Sequence, residues 1–295
     1  MDSKVPSGRY VIAVSGGVDS MVLLHLLQQQ AGLELVVAHY DHGIRPDSFL
    51  DCDFVAAVAG HYNISFESEA GQLGATASEA TARAARYTFL KGVQTKNAAA
   101  AIITAHHQDD VLETAIINMS RGTGRRGLTS LANTTDVVRP LLDMPKAKLL
   151  DYAAQQGLEW REDSTNKDDN YLRNYIRHQV IPKFNTAQRQ QFLGYLNTAR
   201  DIGKQLDQDL EICLSHTMTD NKLDRKLVAA LPEPVIKELL MAWWRKNKFY
   251  SYESKTLVRA VANVRTGKTG AIVPLKGALS MTVGRTQLAL HNDER

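Results

Sequence analysis

Six consecutive residues near the start of the chain have the types and spacing to hold phosphate. They are Ser15, Gly16, Gly17, Val18, Asp19 and Ser20. Glycines let the backbone turn tightly and bring its N–H groups close to a ligand, and the helix predicted after them would add unpaired donors and partial positive charge. The serines add hydroxyl donors, and Asp19 could orient a magnesium ion on a triphosphate. The alternative is a capped turn without a ligand. No lysine follows the glycines, so the segment is not a Walker loop.

A second group of reactive side chains lies in residues 106–114, which read HHQDDVLET. Asp110 and Glu113 are three residues apart and would share one face of a helix. His106 and His107 beside carboxylates could form a transition-metal site. The segment follows residues 98–104, which read as a buried strand, so it would lie at the ligand-binding edge of a sheet.

The elements that would position both groups alternate between strand and helix. Strands are predicted at residues 10–14, 33–39, 63–66 and 98–104, and helices at 21–27, 51–60, 76–91 and 109–120. Such alternation predicts parallel strands joined by right-handed crossovers, that is, an α/β fold with an open, doubly wound and mostly parallel sheet.

The second half of the chain is predicted to be mostly helical, with a small α+β unit at its end. The predicted helices cover residues 146–156, 172–180 and 186–215, and residues 216–223 are short and polar. A further helix at 236–244 and strands at 271–274 and 287–290 follow. We therefore expect two domains, residues 1–215 with a helical extension and residues 221–295.

Composition and charge restrict the class of protein. The 295 residues are 44% hydrophobic and 23% charged. No apolar run is long enough to span a membrane, and the N-terminus lacks the apolar core of a signal peptide, so a cytoplasmic location is expected. Two distant cysteines, Cys52 and Cys213, argue against a disulfide framework or a cysteine-based zinc site.

The charge is unevenly distributed. Residues 221–295 carry 14 Lys and Arg against 6 Asp and Glu, whereas the rest of the chain carries 21 against 26. A basic module on a mildly acidic body indicates a polyanionic partner. A lysine-rich solvated surface without a partner is the alternative.

The motifs resemble those of known enzymes. Residues 15–20 resemble the SGGxDS signature of N-type ATP pyrophosphatases, the PP-loop superfamily, which split ATP between the α- and β-phosphates. Residues 39–45 resemble the HxNHxLR motif of the tRNA(Ile)-lysidine synthetases, with Asp41 in place of Asn and Ile44 in place of Leu. Residues 79–87 are similar to the ExxAR-xxRY helix of that family, and residues 106–114 to its HHxDDxxET motif. Four weaker matches follow in the family's order at residues 121–128, 139–142, 162–166 and 173–177.

The resemblance implies a fold and a reaction. The fold would be adenine nucleotide alpha hydrolase-like, followed by a helical linker and a small α+β domain. The reaction would ligate lysine to C2 of the wobble cytidine in the CAU anticodon of tRNA(Ile), through an adenylated cytidine. It would form lysidine and release AMP and pyrophosphate. ATP with Mg²⁺, L-lysine and tRNA(Ile) are the implied partners; no membrane and no particular oligomeric state is indicated.

The resemblance also assigns roles to residues of this chain. The loop 15–20 and His39 would bind the nucleotide, with Asp19 and Asp110 at the magnesium ion. Asp41, Asp110 and Glu113 would receive the lysine ammonium or read the cytosine amino group, and one of them could accept a proton before the attack. Arg83 and either Arg125 or Arg126 would offset phosphate charge. The residues expected to contact tRNA are Arg121, Arg125, Arg126, Arg173 and Arg177.

Three other functions fit parts of the pattern. A tRNA thiolase would use the same loop, but it needs reactive cysteines or an iron–sulfur cluster, and Cys52 and Cys213 form no CxxC motif. An amidating ligase such as an NAD synthetase would not need the basic C-terminal part. A non-catalytic RNA-binding protein would not need an intact phosphate loop and the 106–114 cluster.

Residues 243–246, WWRK, are expected to help bind tRNA away from the anticodon, with at least one tryptophan in the core.

Overall fold

The computed structural model describes residues 4–43, 47–71, 79–162, 172–250, 253–276 and 279–292. The chain forms two compact units, Met1–Asn197 and Thr198–Arg295. This division falls inside a long helix, Thr186–Thr217, and the expected domain limits at residues 215 and 221 stay a prediction. In the described part of the chain, no helix is long and apolar enough to cross a membrane.

The first unit is built on a five-stranded parallel sheet. Its strand order is β3-β2-β1-β4-β5, and every pairing is parallel. The strands are β1 (Gly8–Ala13), β2 (Leu33–Asp41), β3 (Ser65–Ala70), β4 (Ala101–Ile103) and β5 (Val137–Val138). The predicted doubly wound sheet is confirmed. The sequence did not predict β5, because a strand of two residues is too short to show a strand pattern.

Helices lie between these strands and after them along the chain. They are α1 (Val18–Gln28), α2 (Phe49–His61), α3 (Glu79–Lys96), α4 (Gln108–Ser120), α5 (Arg125–Leu128), α6 (Lys146–Gln155), α7 (Leu172–Tyr175) and α8 (Thr186–Thr217). The helix predicted at 172–180 is α7 followed by a π-helical turn, Ile176–Val180. Such turns are rare and occur frequently at functional sites.

Alternating strand residues anchor the helices to both faces of the sheet. Ile12 and Ile103 are fully buried in the core shared with α1, α2 and α6. Their chain neighbours Val11 and Ile102 are buried on the opposite face, in the core shared with α3. Each fully buried aliphatic side chain contributes roughly 1.5–3 kcal/mol. The strand ends that carry the site are therefore held in a rigid frame.

The strand order reverses between β1 and β4. The chain moves outward from β1 through β2 to β3, then returns to the other side of β1 with β4. In open parallel sheets, ligands bind at this reversal, outside the carboxyl ends of the strands. The loop after β1 and the loop after β4 therefore lie side by side, and these are the two segments singled out in the sequence.

The second unit is a small α+β fold, as expected. Its antiparallel sheet has the order β6-β7-β10-β9-β8. The strands are β6 (Met218–Thr219), β7 (Lys222–Asp224), β8 (Ala271–Pro274), β9 (Leu279–Val283) and β10 (Gln287–Asn292), with helices α9 (Arg225–Ala229), α10 (Glu233–Lys246) and α11 (Ser254–Thr266). Residues 216–223, which the sequence shows as short and polar, form the end of α8 and part of the β6–β7 hairpin.

Both tryptophans of α10 belong to the core of this unit. Trp243 and Trp244 have no exposed surface, and the Trp243 indole N–H donates to the Asn221 carbonyl at 3.1 Å. The expectation that residues 243–246 form a gripping surface is wrong for the tryptophans, because α10 turns its apolar face to the sheet and buries them. On this helix, only charged side chains such as Arg245 and Lys246 could contact a polyanion.

Candidate functional site

The loop after β1 has the geometry of a phosphate cradle. Gly16 adopts φ +88°, a left-handed conformation that costs other residues energy. The Ser20 hydroxyl donates to the Gly17 carbonyl at 2.8 Å and accepts from the Ser15 N–H at 3.2 Å. The hydroxyls of Ser15 and Ser20 are 3.2 Å apart. Helix α1 begins at Val18, within this segment, so the first N–H groups of the helix belong to the cradle.

His39 supports this loop from the neighbouring strand. Its ring is buried, and Nδ1 lies 2.9 Å from the carbonyl oxygen of Val14. A carbonyl only accepts, so Nδ1 carries the proton. His39 therefore fixes the backbone that leads into the loop.

Two carboxylates converge on one imidazole between β1 and β4. His107 Nε2 lies 3.6 Å from Asp19 Oδ2 and 3.5 Å from Asp110 Oδ2. His107 also caps α4, because its Nδ1 accepts from the Asp109 N–H at 3.2 Å and its own N–H donates to Asp110 at 2.9 Å. Those bonds place the ring proton on Nε2, facing both carboxylates. Burial works against a charged ring, but the hydrogen bond to Asp19 and the charges of Asp110 and Asp19 raise the pKa of His107 overall.

A lysine from a distant helix completes the group. Lys146 Nζ lies 2.6 Å and 2.8 Å from the two carboxylate oxygens of Asp19. Burial alone would raise the pKa of Asp19, but its contacts with His107 and Lys146 lower it below the usual value. Burial also opposes ionisation of Asp110, yet the two adjacent histidines, the His107 N–H and Arg173 lower its pKa. Both carboxylates are therefore ionised at neutral pH.

Glu113 sits one helical turn beyond Asp110 and is completely buried. Arg177 donates to both of its oxygens, from Nε at 2.7 Å and from Nη2 at 2.9 Å. Arg173 donates from Nε at 3.0 Å, and its Nη2 lies 3.4 Å from Asp110. Arg173 lies on α7 and Arg177 on the π-helical turn, so this irregular segment is tied to α4 by charge. The structure thus joins two residues expected to bind tRNA to two expected to bind lysine.

A cavity of about 480 Å³ opens between these groups. Its volume is in the range of small-ligand sites. Ser15, Gly17, Asp19, His107, Glu113 and Arg177 contribute to its wall, as do several residues that the sequence did not single out. The latter include Asp51, Lys146, Trp160 and Arg161. The Arg161 side chain pairs with Asp51, and its N–H donates to the Gly16 carbonyl at 3.0 Å.

Comparison with known proteins gives this arrangement a family. The model of an ATP-binding family, described as the PP-loop domain, matches residues 2–184. The chain belongs to the PP-loop family. The matched segment contains β1 to β5, both loops at the strand reversal and the arginine pair on α7 and the π-helical turn. The sequence prediction of a PP-loop protein is confirmed.

Several curated relatives carry the name tRNA(Ile)-lysidine synthase. The one from Nitrosomonas europaea is 33% identical over 260 residues, which cover 80% of this chain and 55% of the relative. The one from Thermus thermophilus is 42% identical over 184 residues, 60% of this chain and 36% of the relative. The one from Exiguobacterium sibiricum is 32% identical over 254 residues, 84% of this chain and 61% of the relative. This PP-loop chain therefore spans about half the length of such relatives.

A solved structure has the same fold. The U34-tRNA thiolase NcsA from Methanococcus maripaludis, with its [4Fe-4S] cluster, superposes with a TM-score of 0.54 at 15% identity over 67% of this chain and 73% of the thiolase. At that identity the likeness concerns the fold alone. In this PP-loop chain Cys52 and Cys213 are free thiols, and they lie in different units.

Asp41 and Arg83, two other predicted site residues, are not among the residues that line the cavity. Asp41 accepts from the Gly43 N–H at 2.8 Å and from the Ser48 hydroxyl at 2.9 Å, so in this structure its carboxylate is bonded to residues that follow β2. Arg83 stacks on Tyr87, with its guanidinium carbon 4.8 Å from the ring centre. Burial, with the charges of Arg139, Arg86 and Arg83, lowers the pKa of His106 to about 3 despite the opposing charge of Asp110.

The predicted tRNA-binding loop follows α4. Arg121 and Arg126 are exposed and Arg125 is half-buried. The loop is tied back to α4 because the Asn118 amide donates to the Gly127 carbonyl at 2.6 Å, and its end folds into α5 rather than staying an open loop.

Parts of the predicted motifs lie outside the described residues. These are Ile44 and Arg45 of the second motif, the side chain of Glu79, and residues 163–166.

Proposed function

We propose that this PP-loop chain carries out the reaction of its relatives: ATP-dependent ligation of lysine to the wobble cytidine of tRNA(Ile). The observation that carries the proposal is the meeting of the phosphate loop after β1 with His107 and the carboxylate Glu113 after β4 in one cavity. Asp110 lies against His107, on the same ring nitrogen that faces Asp19 of the loop. Nucleotide activation and recognition of a cationic amine need these two features side by side. Identity of 32–42% to proteins named tRNA(Ile)-lysidine synthase supports it. The cytoplasm, where tRNA is modified, is the proposed location.

The proposed chemistry has two steps. The O2 atom of cytosine attacks the α-phosphorus of ATP, a P–O bond forms, and pyrophosphate leaves. The ε-amine of lysine, having lost its proton, then attacks C2, and AMP leaves with the original O2 atom. Adenylation is needed because the 2-oxo group is a poor leaving group. The loop 15–20 would hold the departing pyrophosphate, and a cytidine splayed out of the anticodon is the form in which RNA bases are usually read.

Asp19 and Asp110 fit a magnesium ion shared with the phosphates. Among the described residues no three His, Cys, Asp or Glu side chains form a closed metal site. Mg²⁺ is usually bound by one or two carboxylates together with substrate phosphates and waters, and these two carboxylates face the same imidazole nitrogen. The ion would neutralise charge on the phosphates. This donor set does not favour the transition-metal alternative, because His106 points to Thr104, with 2.8 Å between Nδ1 and the hydroxyl.

Asp41, Asp110 and Glu113 are the proposed receivers of the lysine ammonium or of the cytosine amino group, and Arg83 would offset phosphate charge. Glu113 already pairs with Arg173 and Arg177, so a substrate ammonium would have to share or replace a guanidinium. The basic second unit is the proposed grip on the body of the tRNA.

Incorporation of radiolabelled lysine tests the function. The chain is incubated with ATP, Mg²⁺, labelled lysine and a tRNA(Ile) transcript bearing the CAU anticodon. We expect label in the tRNA, with one AMP and one pyrophosphate released per lysine, and none with a UAU transcript. Asp110→Asn should abolish incorporation, whereas Asp151→Asn, an exposed carboxylate on α6, should not. Pyrophosphate release without lysine transfer, or transfer that ignores the anticodon, would refute the proposal.

A further inference from the structure

The phosphate loop contains no cation of its own. Residues 15–20 include neither lysine nor arginine, and Asp19 adds a negative charge. A triphosphate or pyrophosphate brings several negative charges, which N–H donors and hydroxyls alone offset only in part. Phosphate-binding loops commonly use a lysine as a point charge for this purpose. A cation from elsewhere in the fold would serve the same need.

Lys146 is placed to supply that charge. It is the first residue of α6, its ammonium lies 2.6 Å from Asp19 in the loop, and its side chain is about one-third exposed, toward the cavity that Ser15 and Gly17 also line. The start of α6 is fixed on two sides. Leu149 and Ala153 are fully buried in the core with α1, and the Gln108 N–H at the start of α4 donates to the Met144 carbonyl at 3.0 Å.

We propose that Lys146 is the phosphate-binding cation of this site, contacting the pyrophosphate portion of ATP. The assignment rests on the proposed function, because it takes the loop to hold ATP. Without nucleotide, Asp19 holds the ammonium over the loop. A lysine ammonium on a flexible four-carbon stem can then move from a carboxylate to a phosphate oxygen nearby, which frees Asp19 for the magnesium ion. The alternative is a purely structural ion pair, in which Lys146 only neutralises Asp19.

A double-mutant comparison separates these two roles. Binding of inorganic pyrophosphate is measured by calorimetry in EDTA, so that no metal ion contributes, for the wild type, Lys146→Met, Asp19→Asn and the double variant. Lys148→Met is the matched control, because Lys148 is exposed on the same helix. Asp19→Asn and the double variant both lack the ion pair, so a difference between them does not come from its loss. Thermal unfolding of each variant shows that it is folded.

We expect the double variant to bind pyrophosphate about tenfold or more weakly than Asp19→Asn, the size of one good charge-assisted contact. Lys148→Met should bind like the wild type. Equal binding by the double variant and Asp19→Asn would overturn the role of Lys146 and leave the ATP site intact. If the wild type itself bound neither pyrophosphate nor ATP, the proposed function would fail instead.

Discussion

The two arginines on Glu113 should be strongly coupled in stability. In the structure, Glu113 has no exposed surface and receives two hydrogen bonds from Arg177 and one from Arg173. A hydrogen bond to a charged group contributes roughly 1.5–3 kcal/mol, and the side chains of Arg177 and Arg173 are 35% and 25% exposed, which reduces these values. We expect Arg177→Ala to cost about 2 kcal/mol and Arg173→Ala about 1 kcal/mol.

The double variant should cost more than the sum. Each single variant leaves Glu113 one guanidinium, whereas the double variant leaves a buried carboxylate without either, a change that typically costs about 3–5 kcal/mol. We therefore expect the double variant to lose about 4 kcal/mol or more of unfolding free energy. That is about 1 kcal/mol beyond the sum of the two single variants, and this excess is the coupling between the arginines. Adding Glu113→Gln to the double variant should recover part of the loss, because the amide carries no charge to bury.

Hydrogen exchange of the α4 amides, Gln108–Ser120, measures this effect locally and does not depend on how the second unit unfolds. Arg121→Ala is the control, since Arg121 is exposed at the end of the same helix and its loss should change protection by less than about 0.5 kcal/mol. Additive effects of the two arginine variants, or no effect of Arg177→Ala, would show that Glu113 does not depend on this pairing.

Three further predictions concern single residues. Gly16→Ala should lower the free energy of unfolding by about 1–2 kcal/mol because φ is +88°, and calorimetry should show weaker ATP binding. Gly194→Ala is the control, since Gly194 lies inside α8 with open space around it. It should raise the free energy of unfolding by about 0.5–1 kcal/mol. The pKa of His106 in the folded chain is about 3, below its usual 6.5. The unfolded chain therefore takes up a proton at this residue at higher pH than the folded chain does, so stability is lost as pH falls from about 6.5 toward 3. ¹⁵N spectra of the folded protein should show a neutral ring at pH 5, and a midpoint near 6.5 would contradict this. Trp243→Ala should cost about 3–5 kcal/mol in the second unit, measured by urea unfolding, whereas Tyr250→Ala, at a side chain 71% exposed, should cost little.

The sequence predicted the fold of the first unit and the two loops of the site because those signals are local. Strand and helix periods alternate within short windows, and the loop at residues 15–20 and the cluster at 106–114 each lie within one stretch of chain. The strand reversal then brings them together. Lys146 and Arg161 escaped prediction because they reach the site across 127 and 110 residues. A lone lysine at the start of a helix, or a lone arginine beyond its end, gives no local sign of such a partner.

Other features were missed for different reasons. β5 has two residues, too few for a period to appear. The tryptophans of α10 stand beside Arg245 and Lys246, and only the packing of the helix on its sheet shows that they are buried. The pairing of Arg173 and Arg177 with Glu113 joins residues 60 and 64 positions apart, and nothing local in either segment indicates that partner.

The nucleoside at the wobble position of the tRNA product tests the central claim most directly. After reaction of the chain with ATP, lysine and a CAU-anticodon tRNA(Ile) transcript, the tRNA is digested to nucleosides and analysed by mass spectrometry. We predict that the wobble cytidine gains the mass of one lysine less one water, and that omitting lysine leaves an adenylated cytidine instead. An unmodified wobble cytidine alongside AMP formation, or lysine attached at another nucleotide, would contradict the account.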